Sequence, residues 1–207
     1  MSSAEEIRDA LRRFPRRGIR RWESWRGRSP RAAVAVTIVT DGNAPAVLLT
    51  RRADGLHELP GLPTDPRESR PDAARRALAE QLGMGLPPGS VLGMLDDYQT
   101  RSGLAITPVL VWAGERGEPR HRRPARHDVQ VVAVSFADLD VEPVFVAGAD
   151  SDDQMIRLPL HGEWLHAPTA AILYQFREAV LHHRPTRVAH LTAAPLLHSA
   201  GSAGLFG

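Results

Sequence analysis

Residues 57–84 constrain the fold of this chain more than any other stretch. His57-Glu58-Leu59-Pro60-Gly61-Leu62-Pro63-Thr64-Asp65-Pro66 is dense in turn formers and reads as a tight loop. Ser69 and Pro71 then mark a helix start, and Ser69-x-x-Asp72 has the spacing of a capping box. The spacing predicts a helix to Leu82, with Gly83 as its stop. Ala74, Ala77, Leu78, Gln81 and Leu82 recur three and four residues apart, so part of this helix packs on a sheet. Arg76 and Glu80 stand four residues apart, close enough for an ordinary ion pair.

Strands flank this unit. Ala32 to Val39 is a strong strand ended by Asp41-Gly42-Asn43, and Ala46 to Arg52 follows, so the two read as a hairpin. Val91 to Thr100 and Leu104 to Trp112 read as two more, turned at Arg101-Ser102-Gly103. The stretch from Gly114 to Arg126 is polar and Pro-rich and reads as a mobile loop. Val129 to Val134 is a further strand and Ser135 to Leu139 a helical turn. Val144 to Leu165 holds a last hairpin, and Pro168 opens a helix over Thr169 to Leu181. Strands alternating with well-separated helices indicate an α/β (α+β) fold, a mixed sheet between helices.

Ala4 to Phe14 forms an amphipathic helix with Ser3 as N-cap. Arg16, Arg17, Arg20, Arg21, Arg26 and Arg28 follow, interleaved with Trp22 and Trp25. Such a run either contacts single-stranded nucleic acid or phosphates, or is a solvated arm whose tryptophans dock on the domain or on a second subunit. The expected division is an Arg/Trp-rich extension over 1–31, one domain over 32–183 and a flexible tail over 184–207. All 26 Lys-or-Arg residues are Arg, and the net charge of +2 does not by itself imply a nucleic-acid partner. The chain has no cysteine, which excludes disulfides and thiolate metal sites and fits a cytoplasmic compartment. The sequence contains no apolar run long enough to span a membrane, and its N-terminus lacks a signal-peptide core.

The loop and helix resemble the Nudix box, whose pattern is Gly, five residues, Glu, seven residues, Arg-Glu-apolar-x-Glu-Glu-x-Gly-apolar. Glu68, Arg76, Leu78, Glu80, Gly83 and Met84 fall on that pattern without insertion. Leu62 stands at its first Gly, and Ala77 and Gln81 at two of its Glu positions. Leu48-Leu49-Thr50-Arg51-Arg52 before the box and Trp164 before the last helix also look like the coenzyme A pyrophosphatase branch. The resemblance implies a Nudix-like α/β/α sandwich. It further implies a hydrolase acting on a nucleoside diphosphate-linked substrate, coenzyme A or its derivatives among them, or a catalytically inactive nucleotide-binding, regulatory or interaction protein on the same fold.

Carried onto this sequence, the resemblance names Glu80, Arg76 and Glu68 as catalytic-site residues and Glu80 as a ligand for Mg²⁺ or Mn²⁺, a hard cation that takes oxygen ligands. Arg51 and Arg52 are candidates for a substrate phosphate. A nucleotide-type small molecule is the expected ligand, with a homodimer as the expected assembly. The departures weaken the chemistry. Each missing charge at 4 Å removes on the order of 1–4 kcal/mol of attraction for a cation, and roughly 10²–10³ in rate if the loss falls on the transition state. Leu62 adds a Cβ where a left-handed loop would want glycine. Asp96-Asp97 and Asp150-Ser151-Asp152-Asp153 are turn clusters or substitute carboxylates. His57, His161 and His166 are candidate bases, and Trp112 and Trp164 either stack on a base or pack.

Overall fold

A computed structural model describes residues 3–18, 30–42, 44–115, 130–147 and 154–192. The strands of its larger sheet are β1 (Arg31–Asp41), β2 (Ala44–Arg51), β3 (His57–Glu58), β4 (Gly61–Pro63), β5 (Val91–Met94), β6 (Tyr98–Gln99), β7 (Ala105–Glu115) and β8 (Gln130–Ser135). The order β3-β2-β1-β7-β5 forms its spine; β4 pairs with β1, β6 with β7 and β8 with β2. β1 runs antiparallel to β2 and parallel to β7, so the sheet is mixed as expected. The strand expected over Val91 to Thr100 breaks at Leu95–Asp97, where two carboxylates turn inward.

Both faces of this sheet are covered, which is why β1 and β2 read as nearly unbroken apolar runs. Val34, Val36, Ile38, Val47, Leu49, Ile106 and Leu110 join one core. Ala33, Ala35, Val39, Ala46, Leu48, Val109 and Val111 join the other, against helix α2 (Arg70–Leu82). That second interface holds small residues on both sides, Ala33 and Ala35 of β1 and Ala73 and Ala74 of α2.

The first core is closed by α1 (Ala4–Arg13), by α4 (Thr169–Phe176) and by a smaller sheet of β9 (Val144–Ala147), β10 (Gln154–Leu160), β11 (Glu163–His166) and β12 (Leu191–Thr192). The hairpin expected over Val144 to Leu165 is thus a three-strand arrangement, with β10 paired to both β9 and β11. α1 carries the expected Ser3 cap, completed by Glu6, and sends Ile7 into the core beside Phe14. α4 follows a cis Ala167–Pro168 bond and passes into one wider turn over Arg177–Leu181. α3 (Phe136–Leu139) is the expected short turn, capped by Ser135.

The segment expected as a flexible tail departs from expectation where it is described. Val188 and Leu191 are buried, and Gln154 and Met155 of β10 pair with β12. Asp96 explains the docking: it accepts from Arg187 Nη1 at 2.7 Å and from Gln175 Nε2 at 3.1 Å. Arg16 bonds Asp97 at 2.8 Å, so the segments carrying Arg16 and Arg187 both close on one acidic pair. Trp22, Trp25, the Arg run beyond Arg17, most of the loop from Gly114 to Arg126, and Asp150 to Asp153 lie outside the described residues. No described helix is long and apolar enough to cross a membrane.

Candidate active site

The box loop is held between β1 and α2. Pro60 C=O accepts from Ala35 N–H at 2.7 Å, and Gly61 and Leu62 pair with Val34 and Ala33 in β4. Leu62 is therefore an extended strand residue, and the left-handed strain expected at that position does not arise; among the described residues the positive-φ residues other than glycine are His161 and His183. Ser69 caps α2, its Oγ accepting from Asp72 N–H at 3.2 Å. At the other end Gly83 takes φ 67°, its N–H bonding Ala79 C=O at 3.1 Å while Met84 N–H reaches Leu78 C=O at 3.0 Å. That is the helix stop a glycine provides best.

Arg76 ties this loop to the helix. Its Nε and Nη2 donate to the two Glu68 oxygens at 2.9 and 2.8 Å, and Nη2 also donates to Pro63 C=O at 2.9 Å. The two-pronged bond holds the Glu68 carboxyl below its ordinary value, first through the Arg76 hydrogen bond, and raises Arg76. Glu80 meets Arg76 Nη1 only at 3.4 Å, and its side chain is 55% exposed. Glu68, Arg76 and Glu80 are therefore brought together on the outer side of α2.

The two altered positions have been turned to structural use. Ala77 is 0% exposed. Gln81 reaches across to the loop: its Oε1 accepts from Gly61 N–H at 3.2 Å and its Nε2 donates to Gly61 C=O at 2.9 Å. The side-chain amide thus binds both sides of one residue, as a neighbouring β-strand would. A glutamate here accepts from the N–H but, when ionised, has no proton for the carbonyl. Sequence reading treats Gln81 only as a lost carboxylate; the pairing of a donor with an acceptor in its amide is the signal that points to this second role.

Donor chemistry decides what this box can hold. Mg²⁺ and Mn²⁺ take oxygen donors, carboxylates above all. Of the pattern's Glu positions, Glu80 alone keeps a carboxylate outside the Arg76 fork, and Gly61 C=O and Gln81 Oε1 already bond each other's groups. Among the described residues no group of three or more His, Asp or Glu converges as a metal site. These residues do not fit a tightly held divalent ion.

The remaining candidates point elsewhere. Arg51 lies on the same side of β2 as Val47 and Leu49, away from α2, and donates to Glu163 Oε1 at 2.6 Å. His57 Nδ1 stands 3.4 Å from Glu163, and burial lowers its imidazole pKa. Arg52 meets Asp54 at 3.4 Å and Glu58 at 3.7 Å. Asp96 and Asp97 serve the terminal knot, not the box. His161 stands 3.3 Å from Asp138; Trp112 packs on the core while Trp164 is 47% exposed.

Comparison with known proteins places this geometry. The sequence profile of the NUDIX domain matches residues 29–157, more than half of the chain. No curated protein sequence matches significantly. Among solved structures, the chain is similar to RenU, a Nudix hydrolase from M. smegmatis, at 22% identity and TM-score 0.49, covering 77% of this chain and 89% of that one. It is also similar to a MutT protein from Methanosarcina mazei at 17% identity and TM-score 0.45, covering 72% and 95%. The NUDIX domain of Shewanella oneidensis NrtR, solved with ADP ribose, shares 24% identity at TM-score 0.41 over 55% of this chain and 77% of that one. With the profile match spanning β1 to β10 and the Glu68–Arg76 fork bracing its loop, the chain belongs to the Nudix family.

Proposed function

We propose that this protein acts on a nucleoside diphosphate-linked small molecule, with coenzyme A and its derivatives the first to test, as a Nudix-type hydrolase of weak turnover. The observation that supports this reading is the split within one box. The half that braces the loop, Glu68 and Arg76, is complete. The half that would gather negative charge keeps Glu80 and has Ala77 and Gln81 built into the structure. A second reading, a nucleotide-binding, regulatory or interaction protein without turnover, is favoured by the amide of Gln81 lying on the Gly61 carbonyl. Action in the cytoplasm, and as a homodimer, belongs to the same proposal.

The test is formation of the two phosphate-terminated products left when water cleaves the diphosphate linkage, read chromatographically, by the wild-type protein with Mg²⁺ or Mn²⁺ across a panel of nucleotides and coenzyme A compounds, beside calorimetric binding. Turnover that E80A abolishes supports the hydrolase; saturable binding without turnover supports the second reading in its nucleotide-binding form; neither on any compound refutes the hydrolase and the nucleotide-binding form alike. Adding charge back should raise metal-dependent hydrolysis in A77E/Q81E. Because Ala77 is fully buried, Q81E alone is the companion variant should the double change fail to fold.

A further inference from the structure

The smaller sheet turns one face to the core and the other away from it. Ile156, Leu158, Leu160 and Leu165 enter the core, so by alternation Arg157 and Pro159 of β10 and Trp164 and His166 of β11 lie on the opposite face. Register places Arg157 beside His166 and Pro159 beside Trp164. On the other flank Val144 of β9 stands next to Arg157. This face therefore sets a guanidinium and an imidazole side by side in an apolar frame that includes the 47% exposed indole of Trp164.

Arg157 differs from four other arginines that are wholly or partly buried. Arg16, Arg76, Arg177 and Arg187 each hold a carboxylate, at 2.8, 2.8, 2.9 and 2.7 Å. Arg157 Nε and His166 Nδ1 are both buried and have no hydrogen-bond partner among the described residues. Among the described residues, Glu163 of β11 is held by Arg51 and His57, and Glu142 by Arg177. An arginine Nε–H is always a donor, and a desolvated donor without an acceptor is a cost that a folded chain rarely leaves in place without a use.

We propose that Arg157, His166 and Trp164 form a recognition site for a small ligand in which a carboxylate or phosphate group is joined to a planar ring. Two oxygens of the anion lie along the guanidinium edge, His166 Nδ1 adds a donor, and the ring rests on the Trp164 indole. The site is on the far face of the smaller sheet and does not depend on the box or on the activity proposed for it.

The experiment is a nitrogen-15 NMR titration of the full-length chain, reading the Arg157 Nε–H and the Trp164 indole N–H, with benzoate, AMP, inorganic phosphate and uncharged benzamide. Saturable shifts of both signals with benzoate and AMP, weakened about tenfold or more in R157Q, support the site. Shifts with AMP but not benzoate support it and narrow the anion to phosphate. R157Q with a native-like spectrum and unchanged binding overturns it, as does benzamide matching benzoate, which reduces the contact to ring stacking. Should R157Q not fold, W164A serves in its place: loss of the AMP shift at Arg157 supports the site and its persistence at full strength overturns it. No shift at either signal with benzoate or AMP, or AMP shifts confined to Gly61 and Gln81, also overturns it.

Discussion

Replacing Gln81 with glutamate alters one terminal group and removes one hydrogen bond. The Nε2 donation to Gly61 C=O at 2.9 Å is lost and a carboxylate oxygen faces a carbonyl oxygen instead. A partly buried acceptor left unpaired costs about 1–3 kcal/mol. The bond from Gly61 N–H, at 3.2 Å in the parent, survives and gains charge assistance, offsetting roughly 0.5–1.5 kcal/mol. The net expectation for Q81E in EDTA at neutral pH is a loss of about 1–2 kcal/mol, or roughly 2–8 °C in Tm for a chain of this size. The pH dependence has a definite sign. The facing carbonyl raises the folded-state pKa of the new carboxyl. Its protonated form donates to Gly61, so the added stability is fully present below the unfolded value near 4.3 and is lost as pH rises through the folded value. The variant should therefore approach the parent in acid. Mg²⁺ or Mn²⁺ at about 100 times its Kd would return about 2.7 kcal/mol to a variant that binds it, and should raise the parent's Tm by less. Calorimetric melting of both proteins with EDTA and with each metal is the assay. A Q81E melting point in EDTA equal to or above that of the parent would refute the clamp.

The remaining expectations use the same kind of measurement. R76A should lose about 2–4 kcal/mol in urea unfolding, because both prongs to Glu68 and the bond to Pro63 go together, and R76K should not restore it, since an ammonium cannot make the fork. Glu68 is held below its unfolded value by Arg76, so its contribution is present above that unfolded value and lost as pH falls through the folded one; E68Q should flatten this acid limb of the stability profile. D96A should cost about 3–5 kcal/mol by removing the partner of Arg187 and Gln175, with proteolysis near residue 187 increasing; an unchanged cleavage pattern would show that the knot does not hold that segment.

Much of the architecture was legible locally. The β1–β2 hairpin, α2 with its Ser69 cap and Gly83 stop, and the Ser3 cap of α1 each follow from nearby residues. So does the spacing that places Glu68, Arg76 and Glu80 in one box, because helix periodicity and a fixed loop length set it. Distant pairings were not legible. Nothing near residue 187 announces that it will meet Asp96, and the short pattern of 184–192 reads as tail until a buried carboxylate across the fold gives Arg187 a partner.

The primary structure by itself determined that a Nudix loop and helix would form and that two of its charges are gone, since both are matters of residue identity at fixed spacing. Only the folded chain decided what took their place. Hydrogen bonds depend on where donors and acceptors meet in space. Packing carries Gln81 back to Gly61, twenty residues earlier, and leaves Arg157 and His166 side by side with their buried nitrogens unanswered.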